Sequence, residues 1–244
     1  MKVIAVIPAR FKSTRFPGKP LADICGKPMI YWVSKQVSKA NTLNGYVVAT
    51  DDRLIYDACK KYDIPVVMTS DKHVNGTERV AEVAENSDAD IFINVQGDEP
   101  MVDPQAIDAV ADAFRKDLKL EYAQAAKEIV VPSDFVDNTV VKIAVSSDGW
   151  AVYLSRSPIP YPRTLNKFKA FKHIGIYGFT KPFLRDFIGM GESQLESIEG
   201  IEQLRAIENG RRLKIIEVQN DTVSVDTPAD LEKILKYYSG HFKG

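Results

Sequence analysis

The sequence predicts a three-layer α/β/α domain built on a mixed, mostly parallel sheet. Three observations carry this expectation. Continuous β-branched runs such as Val3 to Ile7 and Ile91 to Val95 read as strands buried on both faces. Such runs alternate with segments of helical apolar spacing, the rhythm of βαβ crossovers. The chain, at 244 residues and 45% apolar, is long enough for one sizeable core.

The elements follow in order. Val3 to Ile7 is the first strand, bounded by Pro8, and a loop rich in Arg, Lys, Gly and Pro runs on to Pro20. Pro28 opens a helix carrying Ile30, Val33 and Val37. Tyr46 to Ala49 is a strand, Asp51 and Asp52 open a helix with Ile55, Ala58 and Cys59, and Val66 to Met68 is a short strand. Thr77 to Glu85 is helical, and Ile91 to Val95 is again a strand. Asp103 caps a further helix with Pro104 at its first position and Ile107, Val110 and Phe114 on one face.

After about residue 118 the rhythm changes. Strands at Tyr122 to Ala126, Val140 to Val145, Ala151 to Leu154 and Ile174 to Phe179 come in quick succession. A Pro- and Lys-rich stretch from Ser157 to Lys172 reads as an arm, an excursion within about 150–175 from an otherwise single domain spanning 1–244. One long helix is expected over Leu195 to Asn209, with Leu195, Ile198, Ile201, Leu204 and Ile207 as its buried stripe and Gly210 after its end. Leu213 to Val218 is a strand, and Thr227 caps the final helix with Pro228 at its first position.

Composition narrows the function classes. With 32 Lys and Arg against 33 Asp and Glu, the chain lacks the basic balance of a nucleic-acid binder. No apolar run reaches the roughly 20 residues of a membrane span, and the short amino-terminal run reads as a strand, so a cytoplasmic protein is expected. Two cysteines without CxxC spacing, Cys25 and Cys59, indicate neither a disulfide framework nor a zinc site.

Ligands in open α/β sheets collect beyond the carboxyl ends of the strands. The loop Pro8 to Lys19 lies at such an end and holds four cations, two hydroxyls and one glycine within twelve residues. Arg forks and Lys point charges there can hold a polyphosphate, although a solvated basic loop has the same composition. The GxxxxGK[ST] spacing is absent, and so is GxGxxG, which argues against a dinucleotide-dependent oxidoreductase. Asp98, just past the strand at 91–95, is placed to hold Mg²⁺ against a phosphate, or to serve as a turn residue. Asp226 is a possible partner, because Thr227 already supplies the helix cap. On the strand at 173–179, His173, Gly175 and Tyr177 share one face and leave a polar concavity suited to a sugar; a structural histidine is the alternative. Glu202 and Gln203 lie off the stripe of the long helix, where pairing with Arg205 or with solvent is the default.

Taken together, the motifs IPARxxSTRxPGKPL at 7–21, ATDD at 49–52, MTSxxHxxGTER at 68–79, NVQGDEP at 94–100, SRSPIPYPR at 155–163, HIGIYGF at 173–179, IEQLRAIENG at 201–210 and VDTPADL at 225–231 resemble the 3-deoxy-manno-octulosonate (Kdo) cytidylyltransferase family, in order and across nearly the whole chain. The resemblance implies a nucleotide-diphospho-sugar transferase fold with an inserted dimerisation arm. It implies a Mg²⁺-dependent reaction of CTP with Kdo, giving CMP-Kdo and pyrophosphate for lipopolysaccharide or capsule, and a homodimer. By residue-wise carry-over, Arg10, Ser13, Arg15 and Lys19 hold the CTP phosphates, with Arg15 and Lys19 facing the departing pyrophosphate. Thr77, Arg79 and Gln96 lie near nucleotide or sugar, Asp98 and Asp226 are the metal ligands, and Arg156, His173, Tyr177, Glu202 and Gln203 join Gln96 in the sugar pocket. The chain departs from the family at Asn75, where serine is usual, at Asp137 to Lys142, which lacks the family's proline, and in the arm at 164–172. Alternatives are a cytidylyltransferase for another 2-keto acid sugar, an amino-Kdo or a sialic-acid-like one, and a non-catalytic nucleotide-binding regulator.

Overall fold

Alternation along β1, Val3–Ala9, sets the architecture. Val3, Ala5, Ile7 and Ala9 join one apolar cluster and Val6 joins another, so the strand is buried on both faces. The computed structural model describes residues 1–12, 16–164 and 168–241. After β1 come a single 3-10 turn (Lys19–Leu21), the small hairpin β2 (Asp23–Ile24) and β3 (Lys27–Pro28), and α1 (Met29–Val37). Then follow β4 (Gly45–Thr50), α2 (Arg53–Lys61), β5 (Val66–Met68), α3 (Gly76–Glu85), β6 (Ile91–Val95), α4 (Pro104–Lys116) and β7 (Tyr122–Glu128). The second half holds α5 (Pro132–Val136), β8 (Lys142–Val145), β9 (Ala151–Ser155), β10 (Phe171–Thr180), α6 (Lys181–Met190), α7 (Gln194–Glu199), α8 (Gln203–Glu208), β11 (Lys214–Glu217) and α9 (Pro228–His241).

The main sheet runs β11-β7-β10-β6-β1-β4-β5, with β8 and β9 added beside β10. Pairings of β1 with β4 and β6, of β4 with β5 and of β11 with β7 are parallel. The exception along this path is β10, antiparallel to both of its neighbours β6 and β7. Residues of α1, α2, α4 and α9 cover one face and residues of α3, α6 and α8 the other, which makes the three layers. Residues 156–164 and 168–170 lie outside the sheet between β9 and β10.

Several expectations are corrected. Pro8 does not end β1, because pairing with β6 stops at Val6 and the missing N–H of Pro8 breaks no ladder on that side. The segment at 140–145 becomes a strand only from Lys142. The helix expected over 195–209 is two helices. Ser193 and Glu196 form a capping box for α7, and Gly200, at φ 64, ends it in the left-handed region open to glycine. Ile198, placed on a buried stripe by the single-helix reading, is accordingly 69% exposed. The sequence reading passed over two helices: α5, between two expected strands, and α6, between the strand at 174–179 and the expected long helix; α6 is capped by the Thr180 hydroxyl. The departure at Asn75 has a simple cause: its side chain accepts from the Glu78 N–H and caps α3, a task serine performs equally well.

Candidate functional site

Parallel strands β1 and β6 end side by side, and their loops meet the turn before α9 at one end of a cleft of about 1100 Å³. Lys19, on the 3-10 turn, places Nζ 2.5 Å from Asp98 Oδ2 and 3.4 Å from Asp226 Oδ1. The two acids lie far apart in sequence and are registered by the Val225 N–H, which donates to the Asp98 carbonyl at 2.9 Å. Arg10 and Gln96 line the same cleft. Ser13 and Arg15 lie outside the described residues.

The other end is built by β10 and α8. Gly175 sits so close to its neighbours that a Cβ there would fall 2.3 Å from Glu99 Oε1 and 2.7 Å from Gln96 Cγ, so only glycine fits. His173 and Tyr177 flank it, with the Tyr177 hydroxyl 3.1 Å from His173 Nε2. Thr77 donates to Glu202 Oε1 at 2.9 Å, tying α3 to the start of α8. Glu202 makes no ion pair with Arg205, whose guanidinium grips Glu196 and faces Glu78, although that cation still draws the Glu202 carboxyl down. Gln203 is 3% exposed rather than solvated, and its Nε2 has no hydrogen-bond partner. Arg156 borders the cleft, held by Nε donating to the Glu199 carbonyl at 2.9 Å and by its backbone N–H donating to the Glu199 carboxylate. Arg79 is buried at the cleft edge, paired with Asp51 at 3.2 Å and hydrogen-bonded to Thr69 and the Ser70 carbonyl. Its charge is thus largely committed to holding the loop after β5.

The structure adds residues that sequence reading missed. Glu99 is buried, and burial together with the Asp98 charge pushes its carboxyl up to about 8. Lys172 bridges Asp134 at 2.8 Å and Asp221 at 2.6 Å across the mouth. Lys142, fully buried, donates to the carbonyls of Asp137, Val140 and Arg156 and so fixes the root of the arm. Each is a polar residue whose burial depends on chain segments remote in sequence. The NVQGDEP motif did flag the Glu99 position, but nothing local distinguished it from a solvated turn acid.

Burial and the nearby Arg156 cation hold the His173 imidazole down at about 4. The folded chain then binds fewer protons at this ring than the unfolded chain between about 4 and the ordinary 6.5, so stability falls as pH drops through that window. Glu99 and Glu202 act in the opposite sense, since burial raises them to about 8 and about 6 and each holds a proton in the fold that it loses on unfolding. A comparison of variants isolates the ring. The melting temperature of His173→Gln should fall less steeply than that of the parent between pH 6.5 and 4. Equal slopes would remove the ring from the account.

The sequence model of the cytidylyltransferase family matches residues 4–215. The 3-deoxy-manno-octulosonate cytidylyltransferase of Trichlorobacter lovleyi is 41% identical over 244 aligned positions, covering 96% of this chain and 97% of that protein. That of Fusobacterium nucleatum is 40% identical, covering 97% of each. Among solved structures, CMP:2-keto-3-deoxy-manno-octonic acid synthetase complexed with CTP superposes with a TM-score of 0.94 at 38% identity, covering 99% of this chain and 100% of that one. An inositol-1-phosphate CTP transferase from T. maritima shares the fold, with a TM-score of 0.69 at 17% identity and coverage of 99% and 96%.

Proposed function

The chain belongs to the cytidylyltransferase family, and on that premise we propose that it transfers CMP from CTP to the anomeric hydroxyl of Kdo, releasing pyrophosphate. One observation carries the reading: a single cleft joins a cationic and carboxylate end, Lys19 with Asp98 and Asp226, to a polar, largely buried end at His173, Tyr177, Glu202 and Gln203. The first suits a triphosphate and the second a sugar acid.

The donor set at the first end fits a divalent cation. Two carboxylates converge on one positive charge, here the Lys19 ammonium, and Mg²⁺ favours one or two carboxylates completed by phosphate oxygens and water. Asp98 and Asp226 would hold it. When bound, Mg²⁺ neutralises phosphate charge and acidifies a hydroxyl beside it. The protein's own residues do the rest. Arg10 and Lys19 offset the triphosphate charge, and Lys19 stays beside the pyrophosphate as it departs. In the same reading Ser13 and Arg15 join them from the β1 loop. Gln96, Arg156, His173, Tyr177, Glu202 and Gln203 orient the sugar so that its anomeric oxygen faces the α-phosphorus. That oxygen forms the new bond, the bond from the α-phosphorus to the bridging oxygen breaks, and the hydroxyl proton leaves to solvent.

The same reading makes the chain one domain of a cytoplasmic homodimer serving lipopolysaccharide or capsule synthesis. Exposed apolar residues near the arm, Val131, Val136, Val152 and Tyr161, support a contact surface on that side. No described helix is long and apolar enough to cross a membrane.

Pyrophosphate release tests the activity. With Mg²⁺ and CTP, release should depend on Kdo, stop on addition of EDTA and be weak with UTP or ATP. Release only with an amino-Kdo or N-acetylneuraminic acid would keep the chemistry and reassign the sugar. Tight CTP binding with no release for any sugar would overturn the reading.

A further inference from the structure

A buried amide stands behind the sugar end of the cleft. Gln124, on β7, is fully buried and pairs across the sheet with Tyr177. Its Nε2 lies 3.1 Å from His173 Nδ1, and the other ring nitrogen, Nε2, lies 3.1 Å from the Tyr177 hydroxyl. This convergence requires an irregular strand. Residues four apart in a regular strand are separated by roughly 13 Å, yet the two rings have centroids 5.4 Å apart. The register of β10 against β7 shifts between His173 and Tyr177, where the two rings come together with the Gln124 amide on the His173 ring.

We propose that Gln124 is a positioning residue for the sugar pocket: its amide donates to His173 Nδ1, fixes the proton on His173 Nε2, and so directs that proton to the Tyr177 oxygen. The Tyr177 hydroxyl proton is then left for an acceptor on the cleft side, a hydroxyl or carboxylate oxygen of the sugar acid. This deepens, and rests on, the assignment of that end of the cleft to the sugar.

Three observations support the direction of the chain. The ring is neutral at ordinary pH, held down at about 4, so it carries one N–H and the amide decides which nitrogen has it. The Gln124 Oε1 is the atom left without a partner. The opposite orientation would bury an amide N–H₂ with no acceptor, and unpaired buried donors are rarer than under-satisfied carbonyls. The side chain of Gln203 also lies beside Tyr177 and acts on its hydroxyl.

The test is ¹⁵N NMR of the ring nitrogens, practicable because the chain has three histidines, together with steady-state kinetics on the full-length enzyme. His173 in the parent should show the Nε2–H tautomer. Gln124→Met should mix the tautomers and raise the KM for Kdo about tenfold, the scale of one misdirected hydrogen bond, with the KM for CTP unchanged. Gln124→Leu, which offers neither donor nor acceptor, should mix the tautomers in the same way. The NMR arm needs no sugar and stands whether or not Kdo is the substrate. A parent ring in the Nδ1–H form, or a tautomer indifferent to both substitutions, would overturn the proposal. So would a scrambled tautomer with an unaltered KM for the sugar.

Discussion

Asp98→Asn should lower turnover by about 10²–10³ while leaving the fold intact. The substitution is nearly isosteric and keeps the Asp98 carbonyl, which accepts from the Val225 N–H, so the loop before α9 stays docked. What is lost is one of two negative charges converging on Lys19. Asp226, at 3.4 Å from Lys19 Nζ, would be left as the single carboxylate for a cation beside a triphosphate, which weakens its hold on the metal. The expected pattern is a fall in kcat, a raised Mg²⁺ requirement, and CTP binding in the absence of metal close to that of the parent. Asp226→Asn should behave alike, and the double variant should be little worse than the poorer single, since groups that act as one unit are not additive. Near-normal turnover of Asp98→Asn with Mg²⁺ would sink the assignment. Losses that multiply in the double variant would show that the two acids work separately.

Much of this site was legible in the sequence because it sits where strands end. Lys19, Gln96 and Asp98 follow buried β-branched strands, and a loop at the carboxyl end of a parallel strand has few places to go. Asp226 was legible for a complementary reason: Thr227 and Pro228 already account for the helix start. The sugar end was less so. Alternation placed His173, Gly175 and Tyr177 together, but the irregularity in β10 that folds His173 onto Tyr177 leaves no mark in the pattern of apolar residues. Gln124 and Lys142 read locally as ordinary strand residues, and only pairing with distant segments shows them buried and bonded. The break at Gly200 was visible after all. A capping box at Ser193 and Glu196 followed by glycine marks a short helix, and an apolar stripe at i+3 spacing outweighed it wrongly. Periodicity alone cannot tell one long helix from two short ones that share a face.

That break makes Arg205 the main fastener of the region, and Arg205→Met should cost about 3–5 kcal/mol. The Arg205 side chain is 3% exposed. It donates from Nε and Nη2 to the two oxygens of Glu196 at 2.7 and 2.8 Å, which clamps α8 to α7 across the turn at Gly200. Nη1 lies 3.5 Å from Glu78 on α3, and the cation stacks 4.7 Å from the Phe187 ring on α6. Methionine fills the volume but leaves Glu196 as a buried carboxylate without its counter-ion, and that uncompensated charge is the source of the loss. For a chain of this length the melting temperature should drop by about 10 °C. Because Glu202 and Gln203 begin the same helix, the KM for the sugar should rise with it, while that for CTP moves little. The double variant Arg205→Met with Glu196→Leu separates charge from packing. Removing both partners leaves no stranded charge, since Glu78 keeps the Val74 N–H and Asn75 as its own partners. Most of the lost stability should then return. A single variant within about 1 kcal/mol of the parent, the scale of a solvent-screened ion pair, or a double variant no better than the single, would show that contacts other than this ion pair hold the two helices together.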